Sequence, residues 1–493
     1  MVSPSLSASA SLARSRLPLP RPAQRHLLSR FSYGVTPALV RDMRQAGGSS
    51  DWFRRQLQPG RVSDRQAAQM RSWFPVLDLS PRQQWQLHLS GRQEGWEILA
   101  DFVRWSLLRR VYSRRQVHEV MTEFWSNLLH VPAPGDKSWP HRISYDSTIR
   151  RHALGRFDQL LYASITHPAM GCYLDNARSE ARQPNENLGR ELLELHTVGR
   201  LGGYDETDVR NSALILTGWK VDMFDTWRAY YDESEHYVGR VQVMDFAHAN
   251  SSRDGRTATR AYLRYLAHHP ATARRIAERL AVQFVSDDPP ADLLRDLSRT
   301  YLRADTDIRA TLRTLVEHPA FRRSVGEKVR TPSQDLVATY RALGVGARRP
   351  TGRSSDLAHA IIWQAEGMGE QPFHWPTPDG PPAVNDAWTS VSRMLGSWTT
   401  HLNVAGGFWP KTAMTRRSPM QWMPPLPARF EVVVDHLCRQ LHARPASEAM
   451  VAAACLAVGA RPRERVTRDH RIVRWQMPWL LQSLLDTPRH MTR

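Results

Sequence analysis

The spacing of apolar residues constrains the fold of this chain more than any other feature of its sequence. In residues 114–130, apolar side chains recur every three or four positions, at Val117, Val120, Met121, Phe124 and Leu128. That spacing places them on one face of an α-helix. The same period runs through residues 144–170, 256–285, 290–321, 387–406 and 446–460. Helices of this kind bury their apolar faces against one another, so the sequence predicts a mainly α fold arranged as a multi-helix globular array.

Helix boundaries are indicated by capping residues and by glycine pairs. A Thr-Pro pair and a later Gly-Gly pair predict a helix over residues 36–47. Further helices are expected after Pro184 and after Tyr204. His-Pro-Ala occurs three times at the junctions of helical patterns, which predicts a repeated local turn rather than a repeated domain. Residues 220–246 lose the helical period and are rich in aromatic and β-branched residues, so they predict a short irregular or β-hairpin insertion.

The distribution of proline, glycine and serine suggests three parts. Residues 345–356 and 371–384 predict linkers, because proline interrupts regular structure. We expect residues 1–25, rich in Ser, Ala, Pro and Arg, to form a disordered N-terminal lead. Residues 26–345 are then an α-helical core, and residues 346–493 a C-terminal helical part packed on that core.

The chain is strongly basic, and its charge has two interpretations. The net charge is +19, and only four of the 67 basic residues are lysine. A basic protein suits an acidic partner such as nucleic acid, anionic lipid or a wall polymer. Arginine bias also follows from a GC-rich genome, and the arginines are scattered among acids, so nucleic acid is the less favoured partner. Asp146 and Arg150, four residues apart, predict an ion pair at the surface.

No segment of the sequence predicts a membrane span or an export signal. The N-terminus lacks the continuous apolar stretch of a signal peptide. The longest uncharged apolar stretch near the C-terminus, residues 450–460, is far too short to cross a bilayer. The three cysteines lie far apart, which excludes a disulfide framework. The 17 tryptophans are typical mainly of amphipathic core positions. We therefore expect a soluble cytoplasmic protein with no transmembrane segment.

Ionisable residues are most concentrated in one short predicted helix. Asn185 is a favoured cap, so a helix is predicted from Glu186 to about Val198. At 100° per residue, one polar face is formed by Glu186, Asn187, Arg190, Glu191 and Glu194. In the simpler interpretation this face is exposed to solvent, and Arg190 pairs with Glu186 and Glu194. Each such pair contributes about 0.3–0.5 kcal/mol and requires no function.

The alternative interpretation is a reaction site on this helix. Glu191 and Glu194, three residues apart, can hold a hard cation or share a proton. Arg190 can bind an anionic group through two parallel hydrogen bonds. The zincin spacing and a Glu-x-x-His spacing are both absent, so no specific metal motif is indicated. His196 lies on the apolar side of the helix, where a histidine is more typical of the core.

Three segments of the chain resemble the bacterial DUF1800 family. They are EFWSNLLHV, YDSTIRRHALGRFDQLLYASITHPAMGCYLDNARS and PNENLGRELLELHTVGRLGGYDETDVRNSALILTGW. The segments HLLSRFSYGVTPALV, HHPATARRIAERLAVQFVSDDPP and GEQPFHWPTPDGPP are also similar, so the resemblance covers residues 26–488. It implies a mostly α-helical fold with no established activity. It also implies an extracytoplasmic location as the alternative to the cytoplasm, and a co-encoded alkaline-phosphatase-like protein as a candidate partner.

Two departures from the family pattern bear on a metal site. Where the family has FWHNHF, this chain has Ser126 and Leu128 in place of the histidines, and His130 follows one helical turn after Ser126. Where the family has a His-Asp pair, this chain has His236 and Tyr237. In typical members those histidines and the glutamate helix would form a metal site. Most of the imidazoles are missing here.

Three hypotheses for the function follow. The first is a metal- or carboxylate-dependent enzyme, a hydrolase or an oxidoreductase, with its site on residues 185–198. Its catalytic groups would be Glu191, Glu194 and His196. Its substrate-binding groups would be Asn185, Asn187, Arg190, Trp219 and His236. A divalent metal would be held by Glu186, Glu191 and Glu194. The second hypothesis is a non-catalytic helical binding or accessory protein for a partner protein or an acidic polymer. The third is nucleic-acid binding through the net positive charge.

Overall fold

The computed structural model describes residues 19–493 and confirms a mainly α fold that is 59% helical. The α-helices in this range are α1 (Pro22–Arg30), α2 (Pro37–Gln45), α3 (Ser49–Gln56), α4 (Arg65–Gln69), α5 (Pro81–Leu89), α6 (Gly95–Tyr112), α7 (Gln116–Leu128), α8 (Arg142–His152), α9 (Phe157–Ile165), α10 (Pro168–Tyr173), α11 (Asn187–Glu191), α12 (Glu206–Ile215), α13 (Arg256–His268), α14 (Pro270–Phe284), α15 (Ala291–Arg303), α16 (Ile308–Glu317), α17 (Pro319–Arg323), α18 (Pro332–Leu343), α19 (Leu357–Gly367), α20 (Val391–Gly406), α21 (Phe430–His442), α22 (Glu448–Val458), α23 (Met477–Leu485) and α24 (Pro488–Met491). Two further segments, Leu192–His196 and Ile472–Gln476, are π-helical. Within residues 19–493, no helix is both long and apolar enough to cross a bilayer.

The β-structure of the described residues consists of short two-stranded antiparallel sheets. The strands are β1 (Trp219–Val221), β2 (Ala229–Tyr231), β3 (Val241–Val243), β4 (Phe246–His248), β5 (Gly346–Ala347), β6 (Met414–Thr415), β7 (Ala428–Arg429) and β8 (Arg465–Val466). The predicted insertion at residues 220–246 is confirmed, and it contains two consecutive hairpins, β1–β2 and β3–β4. In the first hairpin Trp219 lies opposite Tyr231.

The three His-Pro-Ala sequences begin helices with the same hydrogen bond. In α10, α14 and α17, the histidine Nδ1 accepts a hydrogen bond from the backbone N–H of the alanine, at 3.1, 3.2 and 3.1 Å. Proline occupies the first helical position, where its missing N–H has no intrahelical partner to lose. The predicted local turn is therefore confirmed. It also divides the periodic segment 256–285 into two helices, α13 and α14, which meet at His269.

Helices from both predicted main parts share one hydrophobic core. Helix α18 packs against α19 and α20, and α6 packs against both α18 and α19. Leu336, Tyr340 and Ile361 belong to the same buried cluster. The division into residues 26–345 and 346–493 stays a prediction. Of the predicted N-terminal lead, residues 22–25 are helical because α1 begins at Pro22, and residues 1–18 lie outside the described residues.

A buried ion-pair network joins α6, α7 and α8. Glu119 lies 2.7 Å from Arg109 and 2.6 Å from Arg150, and Arg150 lies 2.6 Å from Asp146. Both carboxylates are fully buried. Burial alone would raise the pKa of Glu119, but Arg150 and Arg109 lower it. The Asp146–Arg150 pair predicted from the sequence is thus present, but it lies in the interior and not at the surface.

Candidate functional site

The helix that carries the predicted reaction site starts later than predicted, and its second half is π-helical. Helix α11 begins at Asn187, one residue later than expected, and its π-helical continuation ends at His196. The Asn185 side chain accepts a hydrogen bond from the backbone N–H of Asn187 at 3.0 Å, so it does satisfy a donor of the first turn. From Leu192 onward the backbone is π-helical. A π turn contains more residues than an α turn, so the predicted 100° steps misplace the side chains that follow Glu191.

The charged side chains of this helix pair with residues that follow it in sequence. Arg190 donates two hydrogen bonds to the Glu206 carboxylate, at 2.8 and 2.6 Å, and lies 3.6 Å from Glu186. Glu194 pairs with Arg200. The ion pair predicted between Arg190 and Glu194 is replaced by these two contacts. They join α11 to α12 and to the turn that precedes α12.

Glu191 has no hydrogen-bond or ion-pair partner among residues 19–493. Its side chain is half-buried. Burial and the neighbouring Glu194 carboxylate raise the pKa of Glu191, and Asp379 raises it further, while Arg190 opposes them. A carboxyl group in this environment exchanges its proton at a higher pH than an exposed glutamate does.

His196 lies on the buried side of the same segment. Its Nδ1 is 3.1 Å from the carbonyl oxygen of Leu128, and its Nε2 has no hydrogen-bond partner in the described structure. Burial lowers the pKa of His196 to about 4, so the imidazole is neutral at physiological pH. This is the environment of a core histidine, which the sequence spacing favoured.

Residues 371–384 form an ordered cover over the end of α7. The carbonyl oxygen of Trp375 lies 2.8 Å from Nε2 of His130. A Cβ at Gly380, where φ is +70°, would lie 2.0 Å from the carbonyl oxygen of Asn127, so only glycine fits there. The segment has no regular secondary structure, as its prolines predict. It nevertheless brings two of the quoted sequence motifs, distant along the chain, into contact.

A cavity of 290 Å³ lies between this cover and α7. Its wall includes the carboxyl groups of Glu123, Glu366 and Glu370, together with Arg110 and His374. Burial and the neighbouring Glu123 raise the pKa of Glu370. Glu123 lies 3.1 Å from Arg110. This cavity could not be predicted from the sequence, because its residues come from separate segments with no local spacing in common.

A second cavity, of 570 Å³, lies among α9, α10, the β1–β2 hairpin and the start of α13. Its aromatic wall is formed by Tyr162, Trp219, Tyr230 and Tyr231. Its basic side chains are Lys220, Arg256 and Arg260, with His167 beside them. None of the described residues that line it is acidic. We refer to this cavity as the cationic cleft.

The three strong cations of the cationic cleft differ in how they are paired. Arg256 makes two hydrogen bonds of 2.7 Å with Asp254, and Lys220 donates to a backbone carbonyl at 2.9 Å. Arg260 has no hydrogen-bond or ion-pair partner in the described part of the chain. Its guanidinium carbon lies 4.0 Å from the ring centroid of Tyr162. An exposed guanidinium held over an aromatic ring keeps its donors free for an anion.

Two polar groups in the wall of the cationic cleft lack partners within the described structure. Asn176 is 2% exposed, and its Nδ2 donates to the carbonyl oxygen of Leu216 at 3.0 Å, but its Oδ1 accepts no hydrogen bond. The indole N–H of Trp219 is also unpartnered. A buried polar group without a partner costs about 1–3 kcal/mol. Both atoms are themselves buried behind the surface of the cleft, so a ligand would reach them only after a local rearrangement of the wall.

Gly218 and His236 fix the position of Trp219 in this wall. A Cβ at Gly218, where φ is +91°, would lie 2.7 Å from the Tyr231 ring, so glycine is required. His236 is buried, and its Nδ1 lies 3.1 Å from the carbonyl oxygen of Thr217. His236 does not line the cationic cleft. It contacts Thr217, two residues before Trp219, and so helps to fix where the β1 strand begins.

Trp219 is the only predicted site residue that lines the cationic cleft. Asn187 is exposed, and Glu186 is partly exposed. The one group of His, Cys, Asp and Glu side chains in residues 19–493 that has metal-ligand spacing does not include Glu186, Glu191 or Glu194. The catalytic and metal-binding assignments on residues 185–198 stay predictions.

The cations that accompany Trp219 were not predicted from the sequence. Arg256 and Arg260 are four residues apart in the first turns of α13, so they share one face of that helix. That spacing was visible in the sequence and indicates a cationic helix face. What the sequence did not show is that this face lies beside the β1–β2 hairpin.

Comparison with known proteins gives a family but no individual relative. The family model described as protein of unknown function (DUF1800) matches residues 26–492. Neither a curated protein nor a solved structure matches the chain. The family match covers the α11 segment, the cover at residues 371–384 and the cationic cleft. The chain therefore belongs to the DUF1800 family.

Proposed function

We propose that this protein binds an acidic polymer and that the cationic cleft holds a ring-bearing unit of that polymer. The observation that carries the proposal is the lining of one cleft by four aromatic rings and three strong cations, with no acidic residue among the described lining residues. Cations offset the charge of the polymer, and aromatic faces stack on its rings. A volume of 570 Å³ is that of a small-ligand site, so the cleft suits a short unit of a chain.

The rest of the molecule supports this proposal through its charge. The net charge of +19 attracts an anionic polymer over distances of about 10 Å at moderate salt. The exposed Arg260 guanidinium, which has no protein hydrogen-bond partner in the described structure, then supplies specific hydrogen bonds inside the cleft. Long-range attraction and short-range recognition therefore depend on different residues.

Isothermal titration calorimetry with a short uronic-acid oligosaccharide tests the proposal. We expect saturable binding that weakens as the salt concentration rises, and no binding of a neutral oligosaccharide of the same length. Arg260→Gln removes the guanidinium that has no protein partner, so affinity should fall about tenfold, the lower end for a charged hydrogen bond. Arg253→Gln is the matched control, because Arg253 is exposed and does not line the cleft.

The results that contradict the proposal are equally specific. Unchanged affinity in Arg260→Gln, or an equal loss in Arg253→Gln, would show that binding is non-specific attraction to a basic surface. Oligothymidylate is titrated in parallel. If oligothymidylate binds and the uronic-acid oligosaccharide does not, the partner is nucleic acid, which is the third hypothesis.

The second candidate function is the carboxylate-dependent enzyme, a hydrolase or oxidoreductase, on residues 185–198. Glu191 favours it, because this carboxyl group is half-buried, unpaired and has a raised pKa. Arg190 and Glu194 favour it less, because both are already paired with other residues. Glu191→Gln should abolish a detected activity and leave the unfolding midpoint unchanged, with the exposed Asn187→Ala as control. A large loss of stability in Glu191→Gln would identify a structural role.

The co-encoded alkaline-phosphatase-like partner and the cellular location stay predictions. Binding of an acidic wall polymer favours the extracytoplasmic alternative, because such polymers lie outside the cytoplasm. Fractionation of the producing cells, followed by detection of the full chain, distinguishes the two locations. Recovery of the chain only with cytoplasmic markers would weaken the wall-polymer form of the proposal.

A further inference from the structure

Three side chains from α18, α20 and α24 meet in the interior of the protein. Oδ1 of Asp335 lies 3.3 Å from Nε2 of His401 and 3.3 Å from Nε2 of His490. One ligand atom from each residue lies within 4.8 Å of the other two. All three residues are buried. No residue of the cationic cleft belongs to this cluster, which we call the Asp-His-His cluster.

The separations in the Asp-His-His cluster are those of ligands around an ion. For a tetrahedral metal bound at about 2.0–2.1 Å, adjacent ligand atoms are about 3.3–3.4 Å apart. A charge-assisted hydrogen bond from nitrogen to a carboxylate is shorter, about 2.7–2.9 Å. The cluster contains one such bond for comparison, at 2.7 Å between Nδ1 of His401 and Asp486. The two 3.3 Å separations are therefore those expected of ligands that share an ion. The 3.3 Å contact of His401 with Asp335 is also within hydrogen-bond range, and Nε2 of His490 lies 3.0 Å from the Thr339 hydroxyl, which an ion would have to displace as its partner.

We propose that Asp335, His401 and His490 bind one divalent metal ion. Two imidazole nitrogens and one carboxylate oxygen are a ligand set that Zn²⁺ accepts. The Asp486 carboxylate holds Nδ1 of His401, which orients the imidazole and directs Nε2 toward the other ligands. Complete burial is typical of an ion that stabilises the fold.

Two positive charges compete with a metal ion in this cluster, the guanidinium of Arg393 and a proton on His401. Arg393 lies 3.3 Å from Oδ2 of Asp335 and opposes a dication. Without a metal, a proton on His401 can join Asp335 to Asp486, and the cluster is then an internal hydrogen-bonded brace. Metal binding must displace that proton, so the two explanations are mutually exclusive at the Nε2 atom of His401.

The surroundings of His490 indicate when the ion would bind. A cavity of 30 Å³ lies beside His490, and its lining includes Arg25, Arg330, Arg444 and Arg489. Arginines in this position repel a free dication from the folded protein. We therefore expect the ion to enter during folding and to exchange very slowly afterwards.

Metal analysis of the full chain, purified without a metal-affinity tag, tests the proposal. We expect inductively coupled plasma mass spectrometry to find close to one zinc ion per chain. EDTA should remove it from unfolded protein and not from native protein. Refolding with Zn²⁺ should give a higher unfolding midpoint than refolding with EDTA. Refolding with Co²⁺ should give the visible absorption of tetrahedral Co²⁺.

Variants then assign the ligands. His401→Ala and His490→Ala should each lose the metal. His442→Ala is the matched control and should keep it, because His442 neighbours His490 at 6.1 Å between ring centroids without belonging to the cluster. If the two ligand variants do not fold, refolding of the wild-type chain decides, since it requires no substitution. Wild-type protein that stays substoichiometric in metal after refolding with excess Zn²⁺, with an unchanged midpoint, would overturn the proposal and leave the hydrogen-bonded brace.

Discussion

Gly189→Ala tests how α11 is held in place, because Gly189 lies directly against the backbone of α12. A Cβ at Gly189 would lie 2.9 Å from the backbone nitrogen of Ala213 and 3.0 Å from the carbonyl oxygen of Val209. Both atoms belong to the backbone of α12, which cannot rotate away as a side chain can. The carbonyl oxygen of Gly189 also accepts a hydrogen bond from Ser212 at 3.3 Å. A methyl group would force the two helices apart.

Two opposing effects set the change in stability that Gly189→Ala causes. Insertion of a methyl group into a packed contact costs about 1–3 kcal/mol. Replacement of glycine by alanine in a helix regains about 0.5–1 kcal/mol. Since the contacts are to rigid backbone, we expect a net destabilisation of about 1–2 kcal/mol. In a chain of 493 residues this lowers the melting temperature by only about 1–2 °C, so a local measurement is needed.

Hydrogen exchange followed by mass spectrometry provides that local measurement. In Gly189→Ala, peptides that cover α11 and α12 should exchange faster than in the wild type. Gly367→Ala is the matched control, because Gly367 ends α19 and a Cβ there meets no atom within 4 Å. If Gly189→Ala exchanges no faster than Gly367→Ala, the close approach does not hold α11, and this account of its position is wrong.

Three further predictions concern stability. Glu119→Gln should remove the carboxylate that Arg109 and Arg150 share, while Asp64 and Asp146 still pair with them. The loss should be about 1.5–3 kcal/mol in chemical denaturation, the range for hydrogen bonds to charged groups, whereas Asp254→Asn, in an exposed pair, should change little. His269→Ala should cost about 1 kcal/mol in the same assay by loss of a helix cap, and His269→Asn should restore most of it. The pKa of His196, about 4 in the folded protein, lies below the ordinary 6.5, so the unfolded chain binds the additional proton between these values. The stabilisation of the fold that depends on neutral, buried His196 is therefore complete above about pH 6.5 and is lost as the pH falls through about 4. Urea unfolding across this range should give a shallower loss of stability in His196→Gln, and identical slopes would contradict the assignment.

The helices and the insertion could be predicted because their causes are local. In α7 the apolar residues follow one another at helical spacing, and the helix covers Gln116–Leu128 within the predicted residues 114–130. The β1–β2 hairpin follows from aromatic and β-branched residues without that spacing. The His-Pro-Ala turns follow from the chemistry of three adjacent residues.

The environment of the predicted site could not be read from local spacing. The partners of Arg190 and Glu194 are Glu206 and Arg200, which lie outside the predicted helix. A π-helical segment has no signal in the apolar period, so the arrangement after Glu191 was also mispredicted. The spacing of residues in a single helix places its polar face in solvent, because it carries no information about partners from other segments.

Sites assembled from distant segments leave even less trace in the sequence. Trp219 and Arg260 line one cleft because α13 packs beside the β1–β2 hairpin. Asp335, His401 and His490 belong to three helices, and no two of them have the i, i+4 spacing of a helical metal motif. Only the folded chain brings such residues within ligand distance of one another.

The charged residues of α11 also have a structural role, because they hold the elements that lead to the cationic cleft. Arg190 and Glu206 join α11 to the first turn of α12, and Gly189 lets the two helices touch. Helix α12 ends at Ile215, immediately before the residues that place Trp219 in the cleft wall. A rigid α11–α12 pair therefore fixes where the β1 strand begins. Glu191 takes no part in these contacts, so it is the residue of α11 at which a separate chemical role should be sought.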